Sequence, residues 1–148
     1  MNLSNLIGKK LEKITPHQAT IKRLLAAAQR NIVDSKVTAV SAENRFDSGY
    51  KAIMQIANAA LQANGYRTLT SKPGHHYTMI QVLPETIGID SETVIMLDAM
   101  RKQRNIADYF GDIIPESAVK ECINQAEKLL KNFKNWLASN QPELLRID

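Results

Sequence analysis

One cysteine in 148 residues excludes a disulfide framework and a cysteine-based zinc site. That residue, Cys122, lies on an apolar stripe between Val119 and Ala126 and reads as plain core. Aromatic residues make up 5% of the chain while Ala is plentiful, a balance that favours helix over sheet. No stretch alternates at period two, and no internal repeat or low-complexity segment divides the chain. No apolar run approaches the roughly 20 residues that span a bilayer, so no membrane segment is expected. Residues 1–10 lack the charge-then-apolar order of a secretory signal, and the expected location is cytoplasmic. Neither sign of charge dominates: 19 basic and 15 acidic residues leave a net +4, which permits RNA or DNA without pointing to either. The glycine-containing stretches lack the strand–turn–helix setting of a phosphate loop, which excludes a P-loop or dinucleotide fold.

What is present is helical periodicity over the length of one domain, 1–148, with 44% hydrophobic residues to fill its core. Residues 1–14 read as an N-terminal arm or short amphipathic helix using Leu3, Leu6, Ile7 and Leu11, weakened by Gly8. Thr15-Pro16 is a helix start, and the helix runs to about Asp34 with Ile21, Leu24, Leu25, Ala28 and Ile32 inward. Ser41 caps a helix over 42–64 carrying Phe46, Tyr50, Ile53, Ala57, Ala60 and Leu61 at threes and fours, with Gly65 past its end. Residues 66–74 read as a polar turn ending in Pro73-Gly74, and 75–83 as a short helix stopped by Pro84. Asp90 or Ser91 caps the next long helix, which ends at Gly111. Pro115-Glu116 opens the last, with Val119, Cys122, Ile123, Ala126, Leu129, Leu130, Phe133, Trp136 and Leu137 inward. Residues 139–148 read as a tail. The expected fold is all-α: an antiparallel bundle of four long helices plus one or two short ones.

The helix over 91–111 is the densest part of the pattern. Met96, Ala99, Met100, Gln103, Ala107 and Phe110 fall on one side of it; Arg101, Arg104, Asn105 and Asp108 fall on the other. Ile95 and Leu97 lie outside the apolar stripe. Its first half is therefore apolar most of the way round, the pattern of a helix central to a bundle. Its second half opens onto a polar cluster.

The order of a long helix, Gly65-Tyr66-Arg67, Pro73-Gly74-His75-His76, a short helix, Arg101-Lys102-Gln103-Arg104-Asn105-Ile106-Ala107-Asp108-Tyr109 and a long amphipathic helix resembles the HEPN superfamily over roughly residues 40–138. The Arg-Asn pair is the most specific part of the likeness. The resemblance implies a helical bundle acting as a homodimer, with the motifs of both chains meeting in one cleft. Many members are metal-independent ribonucleases, often toxins of toxin–antitoxin pairs. Others do not cleave, and bind nucleotide, RNA or a nucleotidyltransferase partner. The family motif is an Arg, often a polar follower, and a His four to six residues on. Carried over, the Arg is Arg104 and the follower Asn105. The His position holds Tyr109, and no histidine follows it. The resemblance thus implies RNA or nucleotide binding and leaves cleavage open.

Metal-independent RNA cleavage needs a base for the 2′-hydroxyl, an acid for the leaving oxygen and a cation on the phosphorane. Arg suits the last, because its charge is permanent and its fork fits phosphate oxygens. A phenol with an ordinary pKa of about 10 is a poor base at neutral pH. On a straight helix, Arg104 and Tyr109 point about 140° apart and need a kink or a second chain to share a site. The candidate catalytic residues are Arg104, Asn105 and Tyr109; the candidate substrate-binding residues are Arg101, Asp108, His75 and His76. The plainer alternative is a pair of intrahelical ion pairs, Arg104–Asp108 and Asp98–Arg101, with Tyr109 at a dimer interface. His75-His76 diverge by about 100° on a helix and have no third ligand nearby, so no metal is expected. One of them packs at the start of the short helix, or reaches the Arg104 cleft and supplies an imidazole. Lys120, Lys128, Lys131 and Lys134 line a solvated face of the last helix or a phosphate-tracking stripe. No cofactor is implied.

Overall fold

The helical bias of the composition is realised in a computed structural model that describes residues 2–71 and 74–145. A 3-10 turn at Leu3–Leu6 leads into strand β1 (Leu11–Lys13), helices α1 (Gln18–Ser35) and α2 (Ala42–Ala63) and strand β2 (Tyr66–Thr68). Short helices α3 (His75–Gln81) and α4 (Leu83–Ile87) follow, then α5 (Ser91–Phe110), α6 (Glu116–Asn140) and a 3-10 turn at Pro142–Leu145. Capping fixes the ends as read from the sequence. Ser41 accepts from the Asn44 N–H and Asp90 from the Thr93 N–H, each at 3.2 Å. Gly65 and Gly111 follow the ends of α2 and α5 at φ +87 and +69, a backbone region costly for any other residue.

The central helix is α2, not α5. Along α2, Gly49, Ala52, Ala57, Ala59, Ala60 and Ala63 are buried beside Phe46, Tyr50, Ile53, Ile56 and Leu61. Small side chains let neighbours approach, and α2 touches α1, α3, α4, α5, α6 and β2. At Gly49 an added Cβ would lie 3.0 Å from the Cys122 Sγ of α6. By contrast α5 buries only Val94, Leu97, Asp98 and Met100, while Ile95 is 69% exposed. An apolar surface most of the way round does not make α5 central, because the small residues of α2 let its neighbours pack closer. On α6 the inward stripe is as read, with Ile123, Leu130 and Trp136 only partly covered.

Five boundary readings are corrected. The N-terminal arm is not an amphipathic helix: Leu11–Lys13 pairs antiparallel with Tyr66–Thr68, matching Leu11 to Thr68, Glu12 to Arg67 and Lys13 to Tyr66. Three-residue strands are too short to show alternation, so the polar turn read at 66–74 hid one of them. Thr15 and Pro16 precede the helix, whose N-cap is His17. Pro84 does not stop the short helix; α3 ends at Gln81, and Pro84 sits in the first turn of α4, where no N–H is needed. Residues 139–145 are not a loose tail. Leu144 is buried, and Gln141 donates to the Ala63 carbonyl at 2.8 Å. Pro73 of the expected turn lies outside the described residues.

Arg45 ties the start of α6 to α2. It is 7% exposed, donates through Nε to the Val40 carbonyl at 2.9 Å, and binds Glu116 through both amino groups. That hydrogen bond holds the Glu116 carboxyl below its ordinary pKa.

Candidate functional site

Three helices converge on a cleft of about 290 Å³. Its floor is one face of α2: Asp47, Tyr50, Lys51, Met54, Gln55 and Asn58, spaced by threes and fours. His76 and Met79 of α3 form one wall, and Arg104 of α5 closes the end. The guanidinium lies over the Tyr50 ring, 5.4 Å from Cζ to the centroid. The Tyr50 hydroxyl is 3.2 Å from His76 Nδ1. Arg104, Tyr50 and His76 therefore form a continuous chain of contacts drawn from three helices.

The environment sets the protonation states. Burial pushes the Tyr50 phenol up to about 12, against the opposing pull of Arg104 and Arg101. Burial also lowers the His76 pKa, and the neighbouring His75, Arg104 and Arg101 lower it further. At neutral pH the cleft thus holds a neutral phenol, a neutral imidazole and a permanent cation. With Nδ1 engaged by the phenol, Nε2 is the ring nitrogen left for a ligand.

Arg104 is held by carboxylates on both flanks. Its Nε donates to Asp47 Oδ1 at 3.1 Å and pairs with Asp108 Oδ2 at 3.2 Å. Among the described residues, neither terminal amino group of the guanidinium donates a hydrogen bond in these contacts. A second hollow, of about 230 Å³, lies on the other flank of Arg104 and is acidic, with Glu43, Asp47, Asp108 and Asp112 in its lining.

The remaining candidates separate. Both intrahelical ion pairs form, Arg104–Asp108 and Asp98–Arg101, the latter at 2.7 Å. Lys102 joins Asp98 at 3.5 Å, and Arg101 lies over the Tyr77 ring at 5.3 Å, beside the cleft and not in it. His75 meets His76 edge to face at 5.0 Å but is exposed; the 100° divergence sends only His76 inward. Asn105 is half-buried and outside the cleft lining. Tyr109 is 84% exposed, in an apolar end with Ile106, Phe110 and Ile113. Phe110, on the side of α5 that carries Met100 and Ala107, is 78% exposed.

The α2 floor escaped sequence reading. Asp47, Lys51, Gln55 and Asn58 recur at helical spacing, the signal that could have found them, but a polar stripe on an amphipathic helix reads as a solvated face. Among the described residues, no group of three or more His, Cys, Asp or Glu is placed to hold a metal ion. Among them also, no helix is long and apolar enough to cross a membrane. Compared with known proteins, the chain matches no family model and no curated protein.

Proposed function

We propose that this chain is a HEPN-like protein of the cytoplasm, an antiparallel bundle of four long helices that binds RNA or a nucleotide phosphate in the Arg104 cleft. The observation that carries the reading is the convergence of a forked cation and a neutral imidazole, from separate helices, on one cavity. The terminal amino groups of Arg104 suit phosphate oxygens. His76 is the ionisable partner that the Tyr109 position does not supply. With RNA bound, the chemistry is that of a metal-independent ribonuclease of the toxin–antitoxin kind. Nε2 of His76 takes the 2′-hydroxyl proton and the 2′-oxygen attacks phosphorus. Arg104 neutralises the phosphorane, and the 5′-oxygen leaves and takes its proton from water.

The experiment is incubation of purified protein with mixed RNA in EDTA, wild type beside Arg104→Ala and His76→Ala, with binding measured on the same samples. The expected result is loss of cleavage in both variants and loss of binding in Arg104→Ala. Wild-type protein that neither binds nor cleaves RNA, and binds no nucleotide, overturns the reading.

A second reading is a non-catalytic interaction module, such as the partner subunit of a nucleotidyltransferase. It is favoured by the apolar end of α5, where Tyr109, Phe110 and Ile113 are 84%, 78% and 84% exposed. The same end suits a homodimer or an antitoxin. A stable complex without RNA binding supports this second reading.

A further inference from the structure

The cation that lies over a tyrosine ring at Arg104 has a neighbour of the same kind. Arg101 precedes Arg104 by three residues, about 4.5 Å along α5 and about 60° round it. Its guanidinium lies over the ring of Tyr77, 5.3 Å from Cζ to the centroid. Tyr77 follows His76 on α3, and α3 packs on α5. Two cation-over-tyrosine pairs therefore stand side by side where these helices meet: Arg104 with Tyr50 inside the cleft, and Arg101 with Tyr77 beside it.

The two pairs differ in what they show to solvent. Tyr50 is 2% exposed, whereas Tyr77 is 46% exposed although an arginine lies over it. Arg101 is braced from behind. Asp98, 9% exposed, accepts from Arg101 Nε at 2.7 Å, and its other oxygen meets Lys102 at 3.5 Å. The carboxylate fixes the guanidinium plane and offsets part of its charge. What remains at the surface is an accessible aromatic ring with a flat, preorganised cation stacked against it.

We propose that Tyr77 and Arg101 form a stacking subsite for an unpaired nucleobase, so that the phosphate at Arg104 is that of a single-stranded RNA and not of a duplex. The inference rests on the phosphate-binding reading above. Bases of a single strand splay out and stack on aromatic rings and on guanidinium planes. Bases within a duplex are stacked on one another and offer no free face to such a ring. The short step along α5 between Arg104 and Arg101 places the ring within reach of a base joined to the bound phosphate. Stacking uses the face of a base and not its hydrogen-bonding edge, so the subsite accepts any base.

The test is a chemical-shift titration of the isotope-labelled full chain with a short single-stranded oligoadenylate, a short RNA duplex and inorganic phosphate. Wild type is compared with Tyr77→Leu and Tyr77→Phe. The wild type should bind the single strand more tightly than the duplex. Tyr77→Leu should bind the strand about tenfold more weakly, within the range of one lost base stack, and should bind phosphate as the wild type does. Tyr77→Phe keeps the ring and loses only the hydroxyl, and should bind the strand as the wild type does. Equal strand binding by wild type and Tyr77→Leu, equal losses in Tyr77→Leu and Tyr77→Phe, or a duplex bound as tightly as the strand overturns the stacking subsite while phosphate binding stands. Equal weakening of strand and phosphate by Tyr77→Leu also overturns it, because the ring then only supports the cleft. Failure of every probe with the wild type, phosphate included, overturns the phosphate reading itself and this inference with it.

Discussion

Removing a negative charge beside Arg104 should strengthen the cleft, and Asp47→Asn is the cleanest way to do it. Asp47 and Asp108 both meet the guanidinium at Nε, at 3.1 and 3.2 Å, and so compete with an anion for the same charge. Arg104 is 31% exposed, Asp47 38% and Asp108 54%, so water screens these pairs. Pairs of that kind are worth about 0.2–1 kcal/mol. The substitution keeps the shape of the side chain and an oxygen to accept from Nε, so the guanidinium stays in place. The freed interaction should tighten phosphate or nucleotide binding about two- to fivefold. Loss of the cation itself is larger: Arg104→Gln removes charge-assisted hydrogen bonds of about 1.5–3 kcal/mol, or tenfold and more in affinity. The assay is titration calorimetry with a nucleotide, repeated as salt rises, because the gain should shrink as the screening length falls. Weaker binding by Asp47→Asn would mean that the carboxylate sets the posture of Arg104 or meets the ligand itself. Unchanged binding would mean that the anion never meets Arg104. Either result refutes the reasoning.

Two further outcomes follow from the same contacts. The folded chain holds His76 below its ordinary value of 6.5, so near that pH the unfolded chain binds a proton that the folded one does not. Stability should therefore rise with pH through that window and fall as the pH drops below 6.5, and His76→Gln should flatten that slope in urea unfolding followed against pH. A bound phosphate favours the charged imidazole, so affinity should move the opposite way and strengthen on acidification. In the packing, Gly49→Ala gains about 1 kcal/mol of helix propensity but places a methyl 3.0 Å from Cys122 Sγ, an overpacking that costs about 1–3 kcal/mol. Thermal unfolding should show it destabilising in the wild type and stabilising in a Cys122→Ala background; equal effects in both would rule out the clash.

Legibility from sequence followed the range of the signal. Helix ends were readable because caps are local: Ser41, Asp90 and Gly111 act on neighbours within one turn. The three-residue strands were not, because their pairing joins Leu11 to Thr68 across α1 and α2. The central place of α2 was hidden for another reason. Its alanines and Gly49 carry little hydrophobicity, yet their smallness lets α1 and α6 come close. At the site, Arg104 stood out from its surroundings in sequence, whereas the α2 floor beneath it did not. Asp47 and Asn58 acquire meaning only once α5 and α3 are laid beside them.

The separation of Arg104 from Tyr109 bears directly on which residue would do the proton chemistry of the proposed cleavage. Five residues of a straight helix turn a side chain by about 140°. The helix α5 runs unbroken to Phe110, and Tyr109 emerges 84% exposed, away from the cleft. Within one chain the two cannot meet a common phosphate. If the proposed cleavage occurs, either a second chain carries its own Tyr109 into the cleft, or the partner of Arg104 is His76, which contacts Tyr50 beneath the Arg104 guanidinium. The alternatives part under two substitutions that preserve shape. His76→Gln keeps a hydrogen-bonding group near Tyr50 but removes the titrating ring; Tyr109→Phe removes only a hydroxyl. If His76 is the partner, His76→Gln abolishes RNA cleavage and the pH dependence of nucleotide binding, and Tyr109→Phe changes neither. Loss of cleavage in Tyr109→Phe with His76→Gln still active would move the chemistry to the subunit interface. A concentration-dependent rate for the wild type, rising as dimers form, would then be the required accompaniment.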